Sequence, residues 1–191
     1  MSIHKKNYYL FIENTKEFNL NLIKIRNKFN IIYRSQNENE NLKDLFEFRK
    51  NCKKRGINFF VSNNTKLLSK LKADGLYISS YNKNLLLNKY RKIGYMVIGS
   101  AHNYKEIIIK KSQGCAKVIF SRIFETSYKN KKGYLGILKF NIISLNSNME
   151  IIPLGGINEK NLIKMKSVNC NAFACLSAIK KKPAKIINRL F

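Results

Sequence analysis

Tryptophan is missing from this chain, proline occurs twice, and histidine is limited to His4 and His102. No run approaches the roughly eighteen consecutive apolar residues of a membrane-spanning helix. The early apolar stretch Tyr8-Tyr-Leu-Phe-Ile12 is too short for a signal-peptide core and has no cleavage site after it. We therefore expect a cytoplasmic protein with no membrane partner. The four cysteines (Cys52, Cys115, Cys170, Cys175) make no CxxC pair and show no metal-ligand spacing, which leaves buried, reduced thiols. GxSxG, Walker A, HExxH and the Rossmann glycine fingerprint are all absent from the contexts they require. Acidic residues are also scarce, 11 against 37 basic ones, so the formal net charge is +26.

That charge ordinarily suggests nucleic acid or an anionic surface. Here the basic clusters are scattered, as Lys53-Lys54-Arg55, Lys110-Lys111, Lys129 to Lys132 and Lys180 to Lys182. A nucleic-acid surface would gather them on one tract or helix face with interleaved aromatics. Lys, Asn and Ile, all A/T-rich in their codons, are abundant throughout, so a low-G+C genome would produce the same bias. A nucleic-acid partner is thus the less favoured reading, while a positive field suits phosphorylated small molecules.

With 191 residues, 45% of them hydrophobic and 12% aromatic, the chain can bury one core and is short for two. We take residues 1–191 as one domain; the sequence leaves a homo-oligomer open. Short apolar runs alternate with helical patterns along its whole length. Strands are expected at Tyr8 to Ile12, Asn30 to Arg34, Ile57 to Val61, Gly75 to Ser79, Tyr95 to Gly99 and Lys117 to Phe120. Helices are expected between them: one with Phe18, Leu22, Ile25 and Phe29 on a face, and another with Leu42, Leu45, Phe46 and Cys52 inward, stopped by Gly56. Further helices are expected at Thr65 to Lys72, Leu85 to Lys92, Asn103 to Gln113, Leu135 to Leu145 and Ala184 to Phe191.

The last two strands are the most informative. Ile151-Ile-Pro-Leu-Gly-Gly-Ile-Asn158 and Ala172-Phe-Ala-Cys-Leu-Ser-Ala-Ile179 each run from an apolar strand into a turn of small residues. Gly155 and Gly156 have no side chains to keep an anion from backbone N–H groups, and Ser177 and Ala178 lie where a following helix would aim its own. Alone, Gly155-Gly156 would be a tight turn. Paired at the chain end, the two segments describe the phosphate cradle after strands seven and eight of a (β/α)8 TIM barrel, the α/β fold expected here.

In such a barrel, functional groups gather at the C-terminal strand ends. This selects Arg34, Ser62 and Asn63, Ser79 to Asn82, Ser100, His102 and the loop from Arg122 to Lys132. His102 is the candidate imidazole acid/base, or else a histidine that orients the strand-five loop. Ile123-Phe-Glu-Thr-Ser-Tyr-Lys129 offers Glu125, Thr126 and Lys129. Acidic metal ligands are missing: Asn63 and Asn82 stand where carboxylates would be wanted, and neutral amides hold Mg2+ poorly.

The order and spacing of these elements resemble the thiamine phosphate synthase/TenI family of compact barrels. The resemblance rests on Ile98-Gly-Ser-Ala-His102, Ile123-Phe-Glu-Thr126 with Lys129 and Gly133, Ile152-Pro-Leu-Gly-Gly-Ile157, and Cys175-Leu-Ser-Ala-Ile179. It implies a thiamine-biosynthesis enzyme whose default reaction joins an aminopyrimidine diphosphate to a thiazole phosphate, with Mg2+ as cofactor. Gly156, Ser177 and Ala178 would then hold the thiazole phosphate, while Arg34, Ser100, Thr126 and Lys129 would face the diphosphate and pyrimidine. The sequence departs from the synthase pattern at Ile32-Tyr-Arg34-Ser-Gln36, which keeps only the arginine. Asn63 and Asn82 occupy the family's two metal-ligand positions. The TenI-like branch, which tautomerises the thiazole, is implied to use a histidine at the Ser-x-His position. Phe124-Glu-Thr126 leans towards that branch. A barrel that binds phosphate without turnover is the third reading.

Overall fold

The structure, a computed structural model, describes residues 7–23, 27–35, 40–126 and 133–176. Eight strands form one closed parallel sheet in sequence order: β1 (Asn7–Ile12), β2 (Phe29–Tyr33), β3 (Asn58–Ser62), β4 (Gly75–Ile78), β5 (Met96–Ala101), β6 (Lys117–Ser121), β7 (Glu150–Leu154) and β8 (Ala172–Cys175). β1 pairs with β8, with Tyr8 opposite Phe173, and so closes the barrel. Closure leaves no strand edge unpaired. Outside lie α1 (Leu42–Lys54), α2 (Thr65–Lys70), α3 (Asn88–Lys92), α4 (Tyr104–Ser112) and α5 (Gly136–Leu145). A 3-10 helix at Leu162–Ser167 stands between β7 and β8.

Alternation along each strand divides the apolar residues into two cores. Residues such as Leu10, Phe59, Val118 and Phe173 face the helices, whereas Phe11, Ile32, Phe60, Tyr77, Ile119 and Ile152 fill the barrel. The floor, at the N-terminal strand ends, is polar and internally paired. Asn58 donates to Asn30 at 2.9 Å, and Lys117 meets Glu150 at 2.9 Å. Burial works against the Lys117 ammonium, but the hydrogen bond to Glu150 and the nearby Tyr9 more than offset it, so its pKa is raised.

Asparagine does much of the local folding. Asn41, Asn64 and Asn103 each sit at a helix N-cap and accept from a backbone N–H two or three residues on. The same habit changes one expectation. Between β1 and β2 the described residues form two 3-10 turns, Thr15–Glu17 and Leu20–Leu22, instead of one amphipathic helix. Asn14 and Asn19 each cap a new turn with their own side chains, and Phe29 belongs to β2. On α1, Leu45, Phe48, Arg49 and Cys52 face the sheet, while Leu42 and Phe46 are exposed. Gly56 ends that helix at φ +66°, as expected. The sequence also suggests Asn158 as the N-cap of a helix between β7 and β8; instead its side chain accepts from the N–H groups of Lys160 and Asn161, capping a turn ahead of the 3-10 helix. The expected C-terminal helix, Ala184 to Phe191, lies outside the described residues.

Candidate functional site

The C-terminal ends of the strands form the barrel rim, and two regions of it are built on opposite terms. At the end of β7, Gly155 and Gly156 adopt φ of +101° and +69°, a region open to glycine and costly for other residues. A Cβ on Gly156 would overlap the Glu125 carbonyl and the Phe124 backbone, and one on Gly155 would press on Arg122. The glycine pair is therefore required by the close approach of the segment after β6. That segment continues the β6–β7 pairing: Ile123 donates to Leu154 O and Phe124 to Gly155 O, both at 3.1 Å. Asn161 donates to Gly156 O at 2.6 Å. The carbonyls of the turn are thus all engaged. Among the described residues neither glycine N–H has an acceptor, so the turn presents donors. Ser177 and Ala178, expected to complete this cradle, lie outside the described residues, as does Lys129.

At the ends of β3 and β4 the polar groups satisfy one another. Asn63, held at φ +55°, donates to Ser79 Oγ at 2.8 Å and to Tyr81 Oη at 3.0 Å. Its carbonyl accepts from the Ser79 N–H at 3.1 Å and from Asn82 Nδ2 at 3.2 Å. Asn82 Oδ1 accepts from the Asn84 N–H at 3.0 Å. Both amide oxygens are engaged and neither is charged, so these residues do not fit Mg2+, which wants carboxylate oxygens and few geometric compromises. Among the described residues, no three His, Cys, Asp or Glu side chains cluster as a metal site.

Beside this corner lies Lys110, which in sequence is one member of the basic pair Lys110-Lys111. It projects from α4 and is fully buried. Its Nζ donates to Ser79 O and Asn82 O, each at 2.7 Å, and to Gln113 Oε1 at 2.8 Å. Gln113 in turn donates to Asn82 O and Asn84 O, both at 3.0 Å. Burial lowers the Lys110 pKa to about 8, so the amine is still mainly protonated at neutral pH. The signal for it was present: Lys110 follows Ile107 by one helical turn and shares its inward face.

The remaining expected residues fall between these regions. Ser100 is the penultimate residue of β5, not a loop residue, and is buried; it hydrogen-bonds Tyr77, which also feels the charge of Arg34. Burial raises the Tyr77 pKa, keeping the phenol neutral. His102 follows β5 and is exposed. Its N–H donates to Glu106, which also accepts from Asn103 Nδ2 in a capping arrangement. Its Nδ1 lies 2.8 Å from Ser121 Oγ, a partner the sequence did not suggest. His102, Ser121, Arg122, Tyr134 and Lys139 line a cavity of about 470 Å3. Arg122 donates to Thr126 at 3.1 Å, and Thr126 with Glu125 borders a neighbouring cavity of about 460 Å3. Arg34, Ser100, Asn63 and Asn82 thus belong to the β2–β5 side of the rim, and His102, Thr126, Gly155 and Gly156 to the β5–β7 side.

Of the cysteines, Cys52, Cys115 and Cys175 are buried and Cys170 half-buried, all as free thiols. Burial pushes Cys52, Cys115 and Cys175 up to about 12, so none is a nucleophile at neutral pH. Among the described residues no helix is long and apolar enough to cross a membrane.

Comparison with known proteins agrees with this architecture. A thiamine-phosphate synthase from Prochlorococcus marinus strain SARG is 31% identical over 145 residues, covering 74% of this chain and 41% of its own length. One from Persephonella marina is 28% identical over 157 residues, covering 79% of this chain and 74% of its own. The chain spans about two-fifths of the length of two Prochlorococcus relatives that it matches. In three dimensions it superposes on a thiamine phosphate pyrophosphorylase from Pyrococcus furiosus with a TM-score of 0.76, covering 98% of this chain and 94% of that one at 16% identity, a likeness of fold. The family profile described as thiamine monophosphate synthase matches residues 3–179, and the chain belongs to that family.

Proposed function

We propose that this protein binds a thiazole phosphate at the β7 rim and joins it to an aminopyrimidine diphosphate in thiamine biosynthesis. Family membership supports the reaction class, and the acceptor-free N–H groups of Gly155 and Gly156 are the observation that carries the binding half. The phosphate oxygens would accept from these amides, with Ser177 and Ala178 closing the cradle from the β8 side. The diphosphate end of the second substrate would face Arg34, Ser100, Thr126 and Lys129, whose donors and cations suit a departing anion. Loss of diphosphate leaves a pyrimidine cation that the thiazole nitrogen captures, so this chain's contribution is orientation and charge, with no side-chain nucleophile required. Incubation with both substrates, with and without Mg2+, should release diphosphate in step with thiamine phosphate; no release at high protein concentration would end the synthase reading.

A second reading, the TenI-like thiazole tautomerase, is favoured by one observation. The neutral, self-satisfied Asn63–Asn82 corner needs no diphosphate partner for a reaction that moves only a proton. His102 would carry that proton on Nε2, since Nδ1 is engaged with Ser121. His102→Gln should then abolish isomerisation and leave thiazole phosphate binding intact. A barrel that binds the phosphate without turnover would bind equally with and without His102→Gln and release nothing.

A further inference from the structure

Lys110 is the one fully buried lysine among the described residues, and neither reading of the reaction uses it. Three acceptors surround its Nζ, two of them the carbonyls of Ser79 and Asn82 that shape the loop after β4. The barrel makes room for it: a Cβ on Gly99 of β5 would press into Lys110 Cγ and Cδ and on the Cys115 sulfur. A buried ammonium is costly unless its hydrogens are all used, and here three acceptors use all three. Directly above it stand Asn63 and Asn82, whose oxygens are occupied, and the hydroxyls of Ser79 and Tyr81. Each hydroxyl accepts from Asn63, so its own proton is left to donate; Tyr81 is 72% exposed, at the mouth of the rim. The corner therefore combines an exposed phenol, Tyr81, and a buried hydroxyl, Ser79, with a fixed positive charge close by, screened little by water.

We propose that Lys110 is a positioning residue that locks the β4 loop from beneath, and that its ammonium serves where a divalent cation would otherwise sit, so that this corner receives a phosphate or diphosphate oxyanion without metal. The proposal rests on the barrel-mouth reading above for its choice of ligand class, and it concerns the β4 corner, not the β7 cradle.

The test is titration calorimetry of the full chain with inorganic diphosphate, in EDTA and again in Mg2+, with thiazole phosphate titrated in parallel. Diphosphate should bind in EDTA with no requirement for Mg2+, and its affinity there should fall about tenfold or more in Lys110→Met, a loss of about 1.4 kcal/mol by conversion. Asn63→Asp with Asn82→Asp should make diphosphate binding Mg2+-dependent, because two carboxylates then replace neutral amides at the corner. Binding by the unmodified chain only when Mg2+ is present, or no diphosphate binding at all, overturns the proposal and needs no variant to fold. Lys110→Met that keeps its fold and its diphosphate affinity overturns it as well. Metal-free diphosphate binding without thiazole phosphate binding would instead remove the functional reading and leave this one standing.

Discussion

The rim after β7 and the rim after β4 are made from similar small polar residues and do opposite things with them. After β7, every carbonyl of the turn is occupied, and among the described residues the two glycine N–H groups have no acceptor. After β4, the amides bond to each other, and a buried lysine takes the carbonyls. The first region leaves backbone donors over; the second pairs its amides internally and leaves over only the hydroxyl protons of Ser79 and Tyr81 and a buried charge. The contrast teaches that a binding site is read from which groups are left over, and that side-chain type alone does not show this. Asparagine at positions 63 and 82 looks like a damaged metal site in sequence, yet in the fold it is a complete network.

The contrast is broken most severely by Gly156→Ala. The new Cβ would overlap the Glu125 carbonyl at a φ unsuited to alanine, so unfolding in urea should show a loss of about 2–4 kcal/mol. Gly94, also at positive φ but with nothing within 4 Å of an added Cβ, is the comparison: Gly94→Ala should cost only about 1 kcal/mol, from backbone strain alone. On the other side of the rim, Gly99→Ala pushes on the Lys110 stem, and about 1–3 kcal/mol should be lost.

A pH series sharpens the β4 half. Lys110 gives up its proton near pH 8 in the fold and near 10.5 when unfolded. Between those values the unfolded chain holds more protons, so rising pH favours the folded state through this group. Cys115 and Glu106, which face it, oppose the shift without reversing it. Urea stability of the unmodified chain should rise relative to Lys110→Met by roughly 1–3 kcal/mol between pH 8 and 10.5. The three buried thiols act the other way in both proteins: held protonated to about 12, they withdraw stability as pH climbs above 9. The smallest effect belongs to Ser121→Ala. It removes the hydroxyl that pairs with His102 Nδ1 and should cost under about 1 kcal/mol in urea unfolding.

Much of this fold was legible because each strand announces itself as a short apolar run, and α1 to α4 each start at an asparagine or stop at a glycine. The closed barrel and the Gly155–Gly156 turn follow from that alternation. What was not legible depended on groups distant in sequence. Lys110 reads as surface because a lysine in a helix usually is; only Gly99, on the adjoining strand, and two carbonyls of the β4 loop make it a core residue. The helix expected around Phe18 and Leu22 fails because Asn14 and Asn19 offer the backbone a local alternative. Leu42 and Phe46 were placed inward by apolarity, yet the face carrying Leu45, Phe48 and Cys52 meets the sheet. Ser121, on β6, became a partner of His102 only through strand pairing, since β5 and β6 place Ala101 opposite Phe120.

The most direct measurement is an amide and side-chain NMR titration of the full chain, first with Mg2+ alone and then with thiazole phosphate in EDTA. The backbone signals of Gly155 and Gly156 should move with thiazole phosphate in the absence of metal, while the side-chain amides of Asn63 and Asn82 should stay unmoved by Mg2+. Movement of Asn63 and Asn82 on Mg2+ alone, with Gly155 and Gly156 unmoved by thiazole phosphate, would contradict the account.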